Sequence, residues 1–160
     1  MHSLTLTNFI NWNDKCRILD LGTGGGFPAI PLAIFYPNTS FTAIDGTGKK
    51  IKVVREIAEA LKLKNVEAKQ LRAEDCKEKF HFVVSRGVTT LNQLCSLSKP
   101  LIQRDSLTAL PNGIIAYKGG NLKDEIKEIT SKAYYEIWNI HDIFPEDYFV
   151  EKQLVYLQLH

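Results

Sequence analysis

Residues 16–27, Cys16-Arg17-Ile18-Leu19-Asp20-Leu21-Gly22-Thr23-Gly24-Gly25-Gly26-Phe27, decide how the rest of the chain is read. The apolar run 16–21 stops at glycines, as a strand buried on both faces does when it reaches a turn. Phe27 to Tyr36 follows as a helix, with Pro28 and Pro31 in its first turn, where a missing N–H is tolerated, and Pro37 closing it. The local unit is therefore strand, glycine turn, helix.

Working outward, the same alternation repeats. Ser40 to Asp45 reads as a second strand, and Gly48 to Leu63 as a helix with Ile51, Val54, Ile57, Ala58 and Leu61 on one face. Lys52/Glu56 and Arg55/Glu59 add i,i+4 pairs on its outer side. Asn65 to Leu71 and His81 to Ser85 are a third and a fourth strand, Thr89 to Gln103 a helix, and Gly113 to Lys118 a fifth strand. Asn121 to Lys132 is expected to be helical with Asn121 as N-cap. Tyr134 to Ile140 and Lys152 to Leu159 are two consecutive strands with no helix between them, which predicts an antiparallel edge hairpin. The expected fold is α/β, a seven-stranded, mostly parallel, doubly wound sheet with helices on both faces.

Bulk properties set the outer limits. A chain of 160 residues with 44% apolar content is read as one domain, 1–160, with a core large enough to need neither disulfides nor a structural metal. Its formal charge of +2 neither demands nor forbids a polyanionic partner, since clustered charge steers nucleic acid. Cys16, Cys76 and Cys95 have no CxxC spacing, which points to reduced thiols in the cytoplasm and to no metal. No secretory signal opens the sequence. The uncharged stretch Leu21 to Ile44 is interrupted by too many glycines and prolines to span a membrane.

In a doubly wound sheet, ligands bind beyond the carboxyl ends of the strands. Counting from Gly22, the glycines fall as G-x-G-x-G, and Phe27 occupies the sixth place where a dinucleotide fingerprint needs glycine. A pyrophosphate cradle is disfavoured, and S-adenosylmethionine (SAM) is the better occupant. Asp45, at the end of the second strand, is placed to accept hydrogen bonds from ribose hydroxyls. Arg72-Ala73-Glu74-Asp75, after the third, offers a backbone N–H and carboxylates for the adenine edge. Candidate cofactor residues on this reading are Asp20, Gly22, Gly24, Gly26, Asp45, Ala73 and Glu74. For Phe27 a place in the core is the commoner fate. Lys49, Lys50, Arg55 and Lys118 form a weaker set of RNA-binding candidates around the same mouth.

The strings Gly26-Phe27-Pro28-Ala29-Ile30-Pro31-Leu32-Ala33, Phe41 to Lys50, Leu71-Arg72-Ala73-Glu74, Val84-Ser85-Arg86 and Pro111 to Gly120 resemble the RsmG (GidB) family. The resemblance covers essentially the whole chain. It implies a Rossmann-like SAM-dependent methyltransferase acting on N7 of a guanine in the decoding-region loop of 16S rRNA, with rRNA or the small subunit as partner; a monomer is expected apart from the resemblance, the sequence itself not fixing the oligomeric state. By motif it assigns the cofactor to Gly22, Phe27, Ala73, Glu74 and Arg86, with Asp45 and Gly46 at the ribose. It assigns no catalytic residue. Family members carry a further helical stretch ahead of the His-Ser-Leu motif, whereas this sequence opens at Met1-His2-Ser3-Leu4 and is expected to lack it. Two alternatives remain at this point: a same-fold methyltransferase with a protein or small-molecule substrate, and a non-catalytic fragment that binds SAM or RNA.

Overall fold

Strand β1 (Arg17–Leu21) lies at the centre of the sheet, with four of its five residues buried. Such a strand must be apolar on both faces, which is why Ile18, Leu19 and Leu21 stand where an alternating pattern would place polar groups. A computed structural model describes residues 1–12 and 15–159. Among them the sheet contains β2 (Ser40–Asp45), β3 (Val66–Gln70), β4 (Phe82–Arg86), β5 (Gly113–Gly119), β6 (Ala133–Asn139) and β7 (Lys152–Leu159), in the order β3-β2-β1-β4-β5-β7-β6. The first five are parallel, and β7 runs antiparallel to both β5 and β6. After β3 the chain crosses back over β1 to enter β4, so the sheet reverses its winding between β1 and β4. The glycine turn leaves β1 at that switch point.

Helices α1 (Ala29–Phe35), α2 (Gly48–Ala60), α3 (Leu91–Ser98) and α4 (Lys123–Lys127) fill the connections. Buried apolar residues pack on both faces of the sheet. One cluster gathers Leu6, Trp12, Phe41, Phe82 and Tyr156, and another Leu19, Phe80, Val83, Leu94 and Leu157. All three cysteines are buried and none forms a disulfide, and no described helix is long and apolar enough to cross a membrane.

Several elements are shorter than the sequence pattern predicts. α1 begins at Ala29, leaving Phe27 and Pro28 in the turn that feeds it. α2 stops at Ala60 because Lys62 takes φ 54° and the N–H groups of Lys62 and Leu63 bond back to Glu59 and Ala58, a Schellman closure without glycine. α3 gives way at Lys99 to a 3-10 turn containing Pro100, and Ile102 bridges to Phe80 instead of continuing the helix. The largest difference is α4, five residues where 121–132 were expected. Leu122 rather than Asn121 is its N-cap, although the Asn121 Oδ1 accepts a bond from the Lys123 N–H. Beyond it, the Thr130 N–H turns to the Asn92 Oδ1 instead of continuing the helix.

Candidate functional site

The glycine turn is shaped by its backbone. Gly22, Gly24 and Gly26 all have positive φ, and the N–H groups of Gly22 and Thr23 both donate to the Ile44 carbonyl of β2 at 2.9 Å. Gly22 is constrained on a second count. A Cβ there would run into Cγ2 of Val88, in the loop after β4, and force that side chain to move. Asp20 lies beneath the turn, fully buried, and its Oδ2 accepts from the Thr23 hydroxyl at 2.7 Å and the Ala29 N–H at 2.9 Å. It thereby ties the end of β1 to the first residue of α1. Its Oδ1 has no hydrogen-bond partner among the described residues, and burial pushes the carboxyl up to about 7.

Beyond the turn opens a cavity of about 550 Å3, within the usual range for small-molecule sites. Its walls come from four strand ends. β1 supplies Gly22 and Gly24, β2 supplies Asp45 and Gly46, β3 is followed by Ala73 and Glu74, and β4 brings Arg86. The structure therefore draws together most of the residues that the sequence singles out. Asp20 and Gly26 do not line the cavity. Asp20 supports the loop from below, and a Cβ on Gly26 would meet Ile30 at 2.7 Å, so both shape the turn.

Asp45 is already partly engaged, its Oδ2 accepting from the Gly24 N–H at 3.1 Å and its Oδ1 from the Thr47 N–H at 2.9 Å. A carboxylate has about four lone-pair sites, so two remain for a ligand. Lys50 lines the same cavity, 3.8 Å from that carboxylate. Phe27 is not a core aromatic. It is 44% exposed at the mouth, with the Arg86 guanidinium over its ring at 5.2 Å. Arg86 makes this contact and no ion pair with a described residue, so the surface salt bridge that is its simplest structural role is not formed.

The weaker cation set divides. Lys49 and Arg55 are both exposed and outside the cavity, the Arg55 Nε donating to the Ala68 carbonyl at 2.9 Å in place of a pair with Glu59. Lys118 is committed too. Its Nζ lies 2.9 Å from Glu125 and donates to the Thr89 carbonyl at 2.7 Å. Lys52 does pair with Glu56, at 3.8 Å.

Lys152 is a cation that sequence reasoning passed over. The antiparallel register sets Gly119 opposite Lys152, so β7 starts at the carboxyl edge where the parallel strands end. The alternation of Val155, Leu157 and Leu159 marks the strand but not its neighbour. Among the described residues, no group of three or more His, Cys, Asp or Glu is placed to hold a metal ion.

Comparison with known proteins gives this geometry a family. The model of GidB, rRNA small subunit methyltransferase G, matches residues 1–142. The chain belongs to that family. Relatives named ribosomal RNA small subunit methyltransferase G include that of Porphyromonas gingivalis, 48% identical over 99% of this chain and 72% of its own length. That of Phocaeicola vulgatus is 44% identical, over 99% and 75%. Solved structures share the fold at low identity. MtNAS in complex with S-adenosylmethionine has a TM-score of 0.74 at 10% identity, covering 99% of this chain and 62% of that one. A chain of the fibrillarin/Nop5p complex has a TM-score of 0.68 at 12% identity, covering 99% and 79%.

Proposed function

We propose that this GidB-family chain transfers a methyl group from SAM to N7 of a guanine in the decoding-region loop of 16S rRNA, as a monomer in the cytoplasm. The observation that carries the reading is the convergence of four strand ends on one cavity, whose glycine wall has a positive φ and a close approach to Val88 at Gly22 that strain any side chain there. The residues fit SAM on chemical grounds. The wall combines bare glycine backbone and apolar side chains with the carboxylates of Asp45 and Glu74 and the cations Lys50, Arg72 and Arg86, a set suited to hydroxyls, an adenine ring and an amino-acid carboxylate, and the sixth-place glycine of a pyrophosphate cradle is replaced by Phe27. Family membership supports SAM-dependent methylation of small-subunit rRNA.

Bound there, SAM supplies a methyl group on a positively charged sulfur. The free lone pairs of Asp45 would accept from its ribose hydroxyls, and Ala73 and Glu74, on the same wall, would meet its adenine edge. The work left to the protein is alignment and exclusion of water, because guanine N7 carries a free lone pair at neutral pH and needs no general base. That fits the end of β4 and the loop beyond it, which read Ser85-Arg86-Gly87-Val88 and lack the Asn/Asp-Pro-Pro-aromatic string by which amino-group methylases polarise their target. Positive charge develops on the base during transfer, so Arg86, stacked on Phe27, serves an anion at the mouth rather than the ring itself.

The test is to incubate the protein with methyl-labelled SAM and undermethylated small subunits, then map the label. Label on a single guanine N7 of 16S rRNA is expected. Label on protein alone, or none, would remove the rRNA assignment.

A further inference from the structure

A second cavity, of about 430 Å3, adjoins the first, and the two share Phe27 and Arg86. Its other walls come from segments remote in sequence: His2 at the start of the chain, and Glu146, Tyr148 and Phe149 in the connection between β6 and β7. Four of its nine lining residues, His2, Phe27, Tyr148 and Phe149, carry aromatic rings. Phe149 is buried, while the Tyr148 ring stands edge-on to it at 5.0 Å and to His2 at 5.9 Å, and is nevertheless 62% exposed. Glu146 is exposed beside these rings, and its carboxylate has no hydrogen-bond or ion-pair partner among the described residues. On the far side of Arg86 lies a third hollow, of about 350 Å3, lined by Lys118 and Lys152 as well as Arg86. Those charges reach the shared wall. Burial and then Arg86 and Lys152 push His2 down to about 4, so it stays neutral between the two hollows.

We propose that the second cavity receives the acceptor guanine, unstacked from its loop, with Tyr148 against its face and Glu146 accepting hydrogen bonds from N1–H and the N2 amino group. Lys152 and Arg86 then hold its phosphate in the third hollow. This deepens the reading of the chain as an rRNA guanine methyltransferase, and rests on it. Enzymes that modify a base hold it in a pocket between apolar and aromatic side chains and read its Watson–Crick edge. Guanine presents two adjacent donors there, which two carboxylate oxygens match, whereas adenine presents a donor beside a lone pair that a carboxylate repels. N7 lies across the purine from that edge. A base gripped at Glu146 therefore leaves its N7 end free to reach the rim that the two cavities share at Phe27 and Arg86, where it can meet the methyl donor directly.

The experiment compares undermethylated small subunits carrying guanine with subunits carrying adenine at the acceptor position, using wild-type protein and Glu146→Gln. A glutamine offers one donor and one acceptor, so kcat/KM on guanine subunits should fall about tenfold and the guanine-over-adenine preference should narrow by about as much. SAM affinity, read by calorimetry, should hold, because Glu146 is outside the cofactor cavity. An unchanged preference overturns the proposal. If Glu146→Gln loses SAM affinity through misfolding, Tyr148→Leu decides: a several-fold higher KM for subunits at intact SAM affinity supports the base pocket, and an unchanged KM overturns it. Failure of the wild type to methylate any rRNA would overturn the underlying reading as well, and is told apart because no variant is needed to see it.

Discussion

The two sides of the Phe27–Arg86 wall are built on opposite principles. On the cofactor side, the glycine turn is held by backbone N–H groups donating to Ile44, Asp20 and Asp45, and the bonds stay largely within four neighbouring strand ends. On the other side, side chains of His2, Phe27, Arg86, Glu146, Tyr148 and the buried Phe149, drawn from segments remote in sequence, meet where β7 returns antiparallel beside β5. The first is rigid before any ligand arrives, and the second is a set of surface groups that a base can order. Substitutions in the first should therefore strike SAM binding and stability together, and substitutions in the second should strike the acceptor alone.

The strongest way to break that contrast is Gly22→Val. Its Cβ would overlap Val88 and its φ of 74° suits only glycine, so SAM affinity measured by calorimetry should fall by about a hundredfold or more. Affinity within a fewfold of wild type would mean that the turn does not carry the cofactor.

Asp20→Asn tests the support beneath the turn. The folded carboxyl sits at about 7 against an ordinary 3.8, so the native state holds its proton more tightly than the unfolded chain. The stability this brings is full below about 3.8 and is lost as pH rises through about 7, on the order of a few kcal/mol. Thermal melts of the wild type should show that loss across the window, and the asparagine variant should flatten it. An equal slope in both proteins would place the titrating group elsewhere.

Asp45→Ala removes an acceptor for the ribose together with the tie to Gly24. SAM binding should weaken by about 1–3 kcal/mol, and an unchanged titration would show the ribose to be held by another group. Smallest is Phe27→Leu, which deletes the Arg86 stacking from the dividing wall. A loss of about 0.5–1 kcal/mol is expected, seen in KM for the subunit more than in SAM affinity. The reverse split would assign Phe27 to the cofactor side alone.

The same contrast explains what the amino-acid sequence made legible. The order of strands and helices follows from apolar runs punctuated by glycine and proline, and Asp45 could be placed because a strand end is a local event. Asp20 was expected at the cofactor and lies instead beneath the turn, since one residue short of a buried strand's end its carboxylate has Thr23 and Ala29 to satisfy it. Helix ends were less legible. α4 stops where the Thr130 backbone finds Asn92, 38 residues earlier in the chain, a partner that no local pattern announces. Lys118 and Arg55 looked like free cations and are spent on Glu125 and the Ala68 carbonyl for the same reason. The second cavity left no mark at all, because its walls come from segments remote in sequence that meet where β7 pairs with β5.

Titration of the wild-type protein with SAM, set against NAD, reaches the centre of this account most directly. One saturable site for SAM and no heat with NAD is the predicted result. An isotherm flat at millimolar SAM, or binding of NAD in its place, would contradict it.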